Sequence, residues 1–546
     1  HTVVIKGTDL YDSKKSAFVE LGMLDVMQIF GRAGRPQFDT SGEGIIITSH
    51  EQLPRYLSLM NHQLPIESQF VNNLADNLNA EIVSGTVTNM DEAVEWLSYT
   101  YLFVRMLRNP LAYGITHQQK LMDPMLLNYR QQLVAAAAKT LDEAKMARWV
   151  PHAGTLDPTH LGRTASHFYL LHDTIVLFNE KLKASLSDAD LLSVVTQSGE
   201  FENMKIREEE QPELKALMRD VCQVDVRGGI DNAHGKVNIL FQAYLANAPI
   251  EAFSLVSDMN YVAQNMGRIF RGLFEICLHR GWTVIAERAL AYCKMTDLRV
   301  WDTQHPLQQL GVLSPQILYK LITKKVTLDR LADLDAREIG ELVGHPKMGG
   351  LVKKYVHQFP ALELEATVQP ITRTVLRVGL TVTAAFDWND RISGAAEGWW
   401  IWVEDPENEH IYHHEYYVLG RQHAYDPVTL TFTIPIFEPL PAQYLVHAVS
   451  NRWLHASTTI ALSFKHLILP HQYPPHTELL DLQPLPVTAL RDEGFQRLYP
   501  FTHFNPIQTQ IFHSLYHSDH NVLLGAPTGS GKTVAAELAM LRLFRE

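Results

Sequence analysis

The segment Asn521-Val522-Leu523-Leu524-Gly525-Ala526-Pro527-Thr528-Gly529-Ser530-Gly531-Lys532-Thr533 joins a short apolar run to a glycine-rich turn, and a helical stretch from Val534 to Phe544 follows. A buried strand, such a turn and a helix N-terminus together surround a polyphosphate with backbone N–H groups. Ala526, Pro527, Thr528, Gly529, Ser530 and Gly531 would form that turn, Lys532 would reach the β- and γ-phosphates, and the Thr533 hydroxyl would meet a nucleotide-borne Mg2+. Ala526 stands where the general pattern has glycine, which costs little because the phosphate turn lies further on. The bland alternative, a chance glycine turn, is disfavoured by the strand and helix expected on either side. Upstream, Phe504-Asn505-Pro506-Ile507-Gln508 could set an aromatic ring and a bidentate amide against an adenine. A helix cap with a surface glutamine would read the same way. Together the two segments favour ATP.

Near the other end lies Gln28-Ile29-Phe30-Gly31-Arg32-Ala33-Gly34-Arg35-Pro36. Arg32 and Arg35, beside glycines, could stabilise the charge that develops on a transferring γ-phosphoryl group, because a guanidinium offers fixed planar donors. A basic surface turn would look similar.

A third pattern lies between Tyr261 and Arg280. At 100° per residue, Val262, Met266, Ile269, Leu273 and Ile276 share one face, and Gln264, Arg268, Arg271 and Glu275 line the opposite one. Such a helix buries one side and presents the other, either to a ligand or merely to solvent. Lys347, in a Gly/Pro-rich turn, reads more simply as a surface lysine. His410, His413 and His414 do not read as a metal site, because neighbours on a strand point to opposite faces. Trp399, Trp400 and Trp402 read as core packing on at least one face of a sandwich in preference to a base-stacking platform.

These residues need scaffolds, and the chain punctuates itself into several. Residues 1–64 alternate strand, helix and an isoleucine-rich strand, the rhythm of an α/β layer. Residues 65–170 are helical with a short hairpin near Arg148-Trp149-Val150 and Thr155-Leu156, which suggests a winged helix. Helical periodicity continues over 171–312, with its clearest element at 261–280. Residues 313–360 hold a helix-loop-helix around Gly344-His345-Pro346-Lys347-Met348-Gly349-Gly350. From 361 to 470 the period changes to two, as an immunoglobulin-like β-sandwich requires. Pro470, Pro474, Pro475, Pro484 and Pro486 mark a stiff linker over 471–500. A new α/β domain begins near Phe501 and runs to 546.

Composition sets outer bounds. With 546 residues, 46% of them hydrophobic and 20% charged, the chain is ordinary globular material too long for one core. It has no apolar run long enough for a membrane span, so a soluble protein without membrane contact is expected. The formal net charge of −13 excludes a protein that coats nucleic acid with a wholly basic surface, and leaves room for a local channel. Cys222, Cys277 and Cys293 are widely spaced, which fits a reducing compartment and excludes a disulfide framework or a cysteine-rich zinc site. The opening His1-Thr2-Val3-Val4-Ile5 has neither initiator Met nor signal peptide and reads as an internal segment.

Residues Gln28 to Pro36 resemble motif VI of superfamily 2 helicases, Ala526 to Thr533 resemble motif I, and Phe504 to Gln508 resemble the adenine-reading segment. The stretch between resembles the accessory domains of the large tandem-cassette members: winged helix, ratchet helix, helix-loop-helix and immunoglobulin-like domain. The runs Trp399-Trp400-Ile401-Trp402-Val403-Glu404-Asp405-Pro406 and His517 to Leu524 bring the chain nearest the branch found in a cointegrator complex, with the spliceosomal RNA-unwinding branch as near relative. The resemblance implies an ATP- and Mg2+-dependent 3′-to-5′ translocase on single-stranded DNA or RNA, in nucleus and cytoplasm. It implies roles in alkylation-damage repair and in splitting collided ribosomes, with other subunits of the cointegrator complex and ribosomes as partners. It assigns Gln264, Arg268 and Arg271 to the ratchet helix along the strand, and Gln28, Arg32 and Arg35 to catalysis. Motif I precedes motif VI within one such cassette, and here the order is reversed. The two therefore belong to successive cassettes, and neither ATP site is complete in this stretch, which also lacks an Asp-Glu pair beyond Lys532. A spliceosomal RNA-unwinding role and a non-catalytic scaffold remain as alternatives.

Overall fold

The isoleucine-rich run forms β4 (Glu43–Ile47), paired in parallel with β1 (Thr2–Lys6) in the register Val3 to Gly44. Between them lie a hairpin of β2 (Asp9–Asp12) and β3 (Ala17–Glu20), then α1 (Met23–Phe30), and α2 (Leu53–Met60) follows. Ile5, Val26 and Tyr56 form the small core of this α/β fragment, as the strand-helix-strand rhythm predicts. The hairpin was not legible in the sequence. The computed structural model describes residues 2–12, 17–34, 41–60, 66–470 and 477–545, and the chain divides into two units, 1–469 and 470–546.

The expected winged unit is present. Helices α3 (Leu74–Ser84), α4 (Met90–Ser98), α5 (Tyr101–Arg108), α6 (His117–Met122) and α7 (Leu127–Glu143) lead into a two-stranded wing, β5 (Ala147–Val150) and β6 (Thr155–Pro158). Asn89 and Thr100 cap α4 and α5 through their side chains, and Thr116 with Gln119 closes a capping box on α6. Glu67 anchors the entry: Arg105, Asn109 and Tyr113 all donate to its carboxylate, and the Arg105 bond above all pulls its pKa down to about 2. The next helix, α8 (His160–Phe168), packs against α3 and also against the long helix described below.

The helical region continues as α9 (His172–Lys181), α10 (Asp188–Val195), α11 (Gln211–Asp220), α12 (Ala233–Leu245), α13 (Phe253–Arg280) and α14 (Thr283–Leu298). The clearest predicted element, 261–280, is longer than its periodicity suggested. It starts at Phe253 because Leu255 and Met259 extend the buried face by two turns. At its other end Gly281, in the left-handed region at φ 74°, stops it. Within this bundle Lys236 is fully buried, its ammonium 2.6 Å from Glu210 and 2.7 Å from Asp258, with a third bond to the Lys205 carbonyl at 2.9 Å.

The helix-loop-helix region comprises α15 (Pro315–Thr323), α16 (Leu328–Asp333), α17 (Ala336–Leu342) and α18 (Gly349–His357), with the Gly/Pro turn between the last two, as expected. Seven strands follow: β7 (Leu362–Pro370), β8 (Val375–Ala384), β9 (Ala396–Asp405), β10 (His410–Gly420), β11 (Val428–Pro435), β12 (Gln443–Ser450) and β13 (Ser457–Ser463), interrupted by the one-turn helix α19 (Asp390–Ser393). They make two antiparallel sheets, ordered β10-β9-β12-β13 and β11-β8-β7. Leu376, Val378 and Leu380 of one sheet share a core with Trp399, Ile401 and Val446 of the other. Lys294 of α14 is buried against the β12–β13 turn, where it donates to the Ser450 and Trp453 carbonyls at 3.2 Å each; burial pulls its pKa down to about 8.

In the second unit the predicted linker ends earlier than expected. Residues 471–476 lie outside the described residues. Val487 and Leu490 are already buried with Phe504, Phe512 and Tyr516, and Tyr516 donates to the Leu490 carbonyl. The folded unit therefore includes α20 (Glu493–Gln496), well ahead of Phe501, and continues with α21 (Pro506–Tyr516) and α22 (Lys532–Arg545).

Two outcomes follow from this packing. Lys236→Met removes the buried cation that Glu210 and Asp258 share, and chemical denaturation should show a loss of about 3–5 kcal/mol. His172 sits 3.1 Å from Asp76 across the α9–α3 contact, and that hydrogen bond raises its pKa. A raised folded pKa means the stabilisation is complete below the ordinary imidazole value of about 6.5 and is lost as pH rises through the folded value. Thermal melts of the wild type minus those of His172→Gln should shrink with rising pH across that window.

Candidate nucleotide loop and helix groove

The loop of the second unit is held by the segment expected to read adenine. Asn505 caps α21 in a capping box with Gln508. The Asn505 amide also donates to the Ser530 carbonyl at 2.9 Å, and the Gln508 amide to the Gly531 carbonyl at 3.3 Å. Gly529 and Gly531 take φ values of 86° and 82°, and a Cβ on Gly531 would stand 2.2 Å from the Gln508 amide nitrogen. The turn is thus fastened from behind. α22 begins at Lys532, so the loop ends on the unpaired amides of a helix N-terminus, with Lys532 and Thr533 exposed beside them. The Lys532 ammonium folds back on the Ala526 and Pro527 carbonyls at 2.7 Å each. Ser530 donates its hydroxyl to Pro527.

Three expectations are corrected here. Phe504 is not free to stack on a base: it is 1% exposed and packs between Phe501 and Phe512 in the hydrophobic core. Gln508 is not a surface side chain: it is buried, and its amide donates to the Gly531 carbonyl of the loop. Asn521–Gly525 does not form a buried strand; it carries no regular structure, and Leu523 is fully exposed. A strand needs a neighbour to satisfy its ladder, and among the described residues of this unit none is present. Asn505, which sequence reading passed over, is as much a part of the loop as Gln508; its signal was the Asn-Pro start of α21.

In the first unit Gln28 stands exposed on the last turn of α1 and Arg32 exposed on the turn behind it. Ala33 is buried against Gly42, anchoring that turn. Arg35 lies outside the described residues.

The third site is a groove along α13. Its buried residues cover most of the helix circumference and leave one row, Asn260, Gln264, Arg268, Arg271, Glu275 and His279. An open cleft of about 700 Å3 runs along the first part of that row, walled by Phe168, Tyr244, Thr296 and Asp297. Gly272 lets the segment just after α8 approach, for a Cβ there would lie 2.5 Å from the Leu170 side chain. Gln264 is exposed, but the two arginines have internal partners. Arg268 donates to Asn265 and to the Phe168 and Tyr169 carbonyls that end α8. Arg271 donates to Asn451 at 2.6 Å and to Asp297 at 2.9 Å, tying α13 to α14 and the sandwich. The indole of Trp400 donates to the same Asn451 side chain. Trp399 points into the sandwich core, and Trp400 and Trp402 point at the bundle, where Phe274 meets Trp400 edge-on at 5.0 Å. Strand alternation therefore buries both faces of β9. His413 lies flat on Phe432 at 4.2 Å and His414 faces His279.

Comparison with known proteins finds the Sec63 Brl domain over residues 158–463, a winged helix-turn-helix domain over 67–143, and the DEAD/DEAH box helicase domain over 505–546. The whole chain is 56% identical over 549 residues to activating signal cointegrator 1 complex subunit 3 of Gallus gallus. It is 55% identical over 546 residues to a DExH-box ATP-dependent RNA helicase of Arabidopsis thaliana. It is 50% identical over 546 residues to the U5 small nuclear ribonucleoprotein 200 kDa helicase of Homo sapiens. In each case all of this chain is covered, but only 25–26% of the relative, so the chain spans about a quarter of the length of the curated relatives it matches.

The loop geometry separates two roles that share one segment. Phe504→Ala should destabilise the second unit by about 3–5 kcal/mol, seen as faster hydrogen exchange over α21 and α22. Gln508→Ala should leave the unit folded and weaken nucleotide binding by about 1–2 kcal/mol in a fluorescent-nucleotide titration, because it unfastens the Gly531 turn.

Proposed function

The chain belongs to the Sec63 Brl domain family, and from that premise we propose that it spans two motor cassettes of an ATP-dependent 3′-to-5′ helicase acting on single-stranded DNA or RNA. The observation that carries this reading is the Asn505–Gln508 clamp, which fastens the glycine turn ahead of the N-terminus of α22; there Lys532 and Thr533 would meet a triphosphate and its Mg2+. Residues 1–64 are then the end of a RecA-like lobe, and the second unit is the beginning of another. Arg32 and Arg35 serve the ATP of one cassette and Lys532 that of the next. The seven-stranded sandwich is the immunoglobulin-like accessory domain.

The groove along α13 is the path of the strand. Gln264 contacts it directly, and Arg268 and Arg271 shape the wall while offering phosphates the N–H groups they do not spend internally. Such contacts are sequence-tolerant and salt-dependent. Alkylation-damage DNA repair and the splitting of collided ribosomes, in nucleus and cytoplasm, are the proposed settings. Cointegrator-complex subunits and ribosomes are the proposed partners. The name of the Gallus gallus relative supports membership of such a complex. The internal bonds of Arg268 and Arg271 also suit a second reading, a non-catalytic scaffold in which the groove is only structural.

Nucleic-acid-stimulated ATP hydrolysis by the full-length protein separates the two. Lys532→Ala and Arg35→Ala should each remove about a hundredfold or more of the turnover of the cassette they serve, and Gln264→Ala should raise the nucleic-acid concentration needed for half-stimulation. Unchanged stimulation in all three variants would leave the scaffold reading standing and remove the helicase one.

A further inference from the structure

Beyond the cleft at Gln264 the exposed row of α13 continues to Glu275 and His279, where a second cleft of about 510 Å3 opens between α13 and α8. Its α8 wall is His160, Arg163 and His167, which stand exposed at helical spacing on one face. Thr164 and Ser166 add hydroxyls. His160 and His279 close the cleft with ring centroids 4.3 Å apart, and His414 of β10 stands 5.3 Å behind His279. Among the described residues Arg163 makes no ion pair and no side-chain hydrogen bond, unlike Arg268 and Arg271 further along the row. An unpaired guanidinium facing clustered imidazoles is a donor set without an acceptor, and an oxyanion is the ligand that completes it.

We infer that this cleft is an anion subsite of the α13 groove, taking one backbone phosphate of the single strand that lies along Asn260, Gln264 and Arg268. The inference rests on the groove reading above and adds a residue set and a pH dependence to it. Arg163 supplies a permanent charge. His160, His167 and His279 supply ring N–H donors beside it. Burial, together with the neighbouring imidazoles, holds the pKa values of His279 and His414 below the ordinary value, so both are neutral near pH 7 before the anion arrives. The lining carboxyl, Glu275, is pushed up by burial, with His167 and Arg271 opposing that rise. Lowering the pH therefore acts with one sign on the shifted groups: protonating His279 adds positive charge and protonating Glu275 removes negative charge, and both favour an oxyanion.

The test is fluorescence anisotropy of labelled oligo(dT) and oligo(U), each about 20 nucleotides long, with the chain at about pH 6 and about pH 8 over a salt series. Wild-type affinity should rise several-fold at the lower pH. Arg163→Gln should weaken binding about five- to tenfold and reduce the logarithmic salt slope by about 0.7. The double variant His160→Gln/His279→Gln should bind with a smaller pH response than the wild type. All three side chains are exposed, so the variants keep the fold. Gln264→Ala should weaken binding equally at both pH values and keep the wild-type pH response. Superimposable curves for wild type, Arg163→Gln and the double variant would overturn the subsite. Failure of the wild type to bind either oligonucleotide would overturn the groove reading itself.

Discussion

A 28-residue helix that is packed on most of its circumference can show solvent only one row of side chains, and much of the first unit is arranged around that constraint. α14 and α12 lie along α13, α8 packs on it with Leu170 just beyond its end against Gly272, and the outer face of β9 closes over Phe274. Each neighbour removes a face from α13, and what remains is the row from Asn260 to His279. The guanidinium of Arg271 fixes the arrangement, since its bonds to Asp297 and Asn451 join α13 to α14 and to the sandwich at one point. Buried Lys294 repeats the joint from the other side by holding the Ser450 and Trp453 carbonyls. The sandwich is thereby fastened to the helix bundle at two points.

The same economy governs the nucleotide loop. Its shape is not set by its glycines alone, because positive φ values permit a turn without selecting one. Asn505 and Gln508 do the selecting, each through a bond to a loop carbonyl. Their own positions are fixed by the capping box that starts α21 and by Phe504, whose burial against Phe501 and Phe512 ties the start of that helix to the core. Core packing, helix capping and loop geometry are therefore one continuous chain of contacts.

Much of this was legible in the sequence wherever one period dominated. The alternation in β8, the apolar stripe of α13 and the Gly/Pro turn before α18 each recorded a face or a break directly. What stayed hidden depended on partners distant in sequence. Nothing local distinguishes Phe504 as a core residue from Phe504 as a base-stacking one, because the answer lies in Phe512, Tyr516 and Leu490. The polar stripe on α13 looked uniform, yet Arg268 is spent on the end of α8 some 100 residues away and Arg271 on Asn451, 180 residues away. The apolar run at Asn521–Gly525 read as a strand from its composition, and a strand is made by its neighbours.

Photo-crosslinking shows whether a single strand follows the exposed row of α13. An oligonucleotide carrying thio-substituted bases, bound to the chain, irradiated and mapped by mass spectrometry, should attach within 260–279 on α13 and 160–169 on and just after α8. Crosslinks confined to other surfaces, with those two segments untouched at saturating oligonucleotide, would place the strand elsewhere.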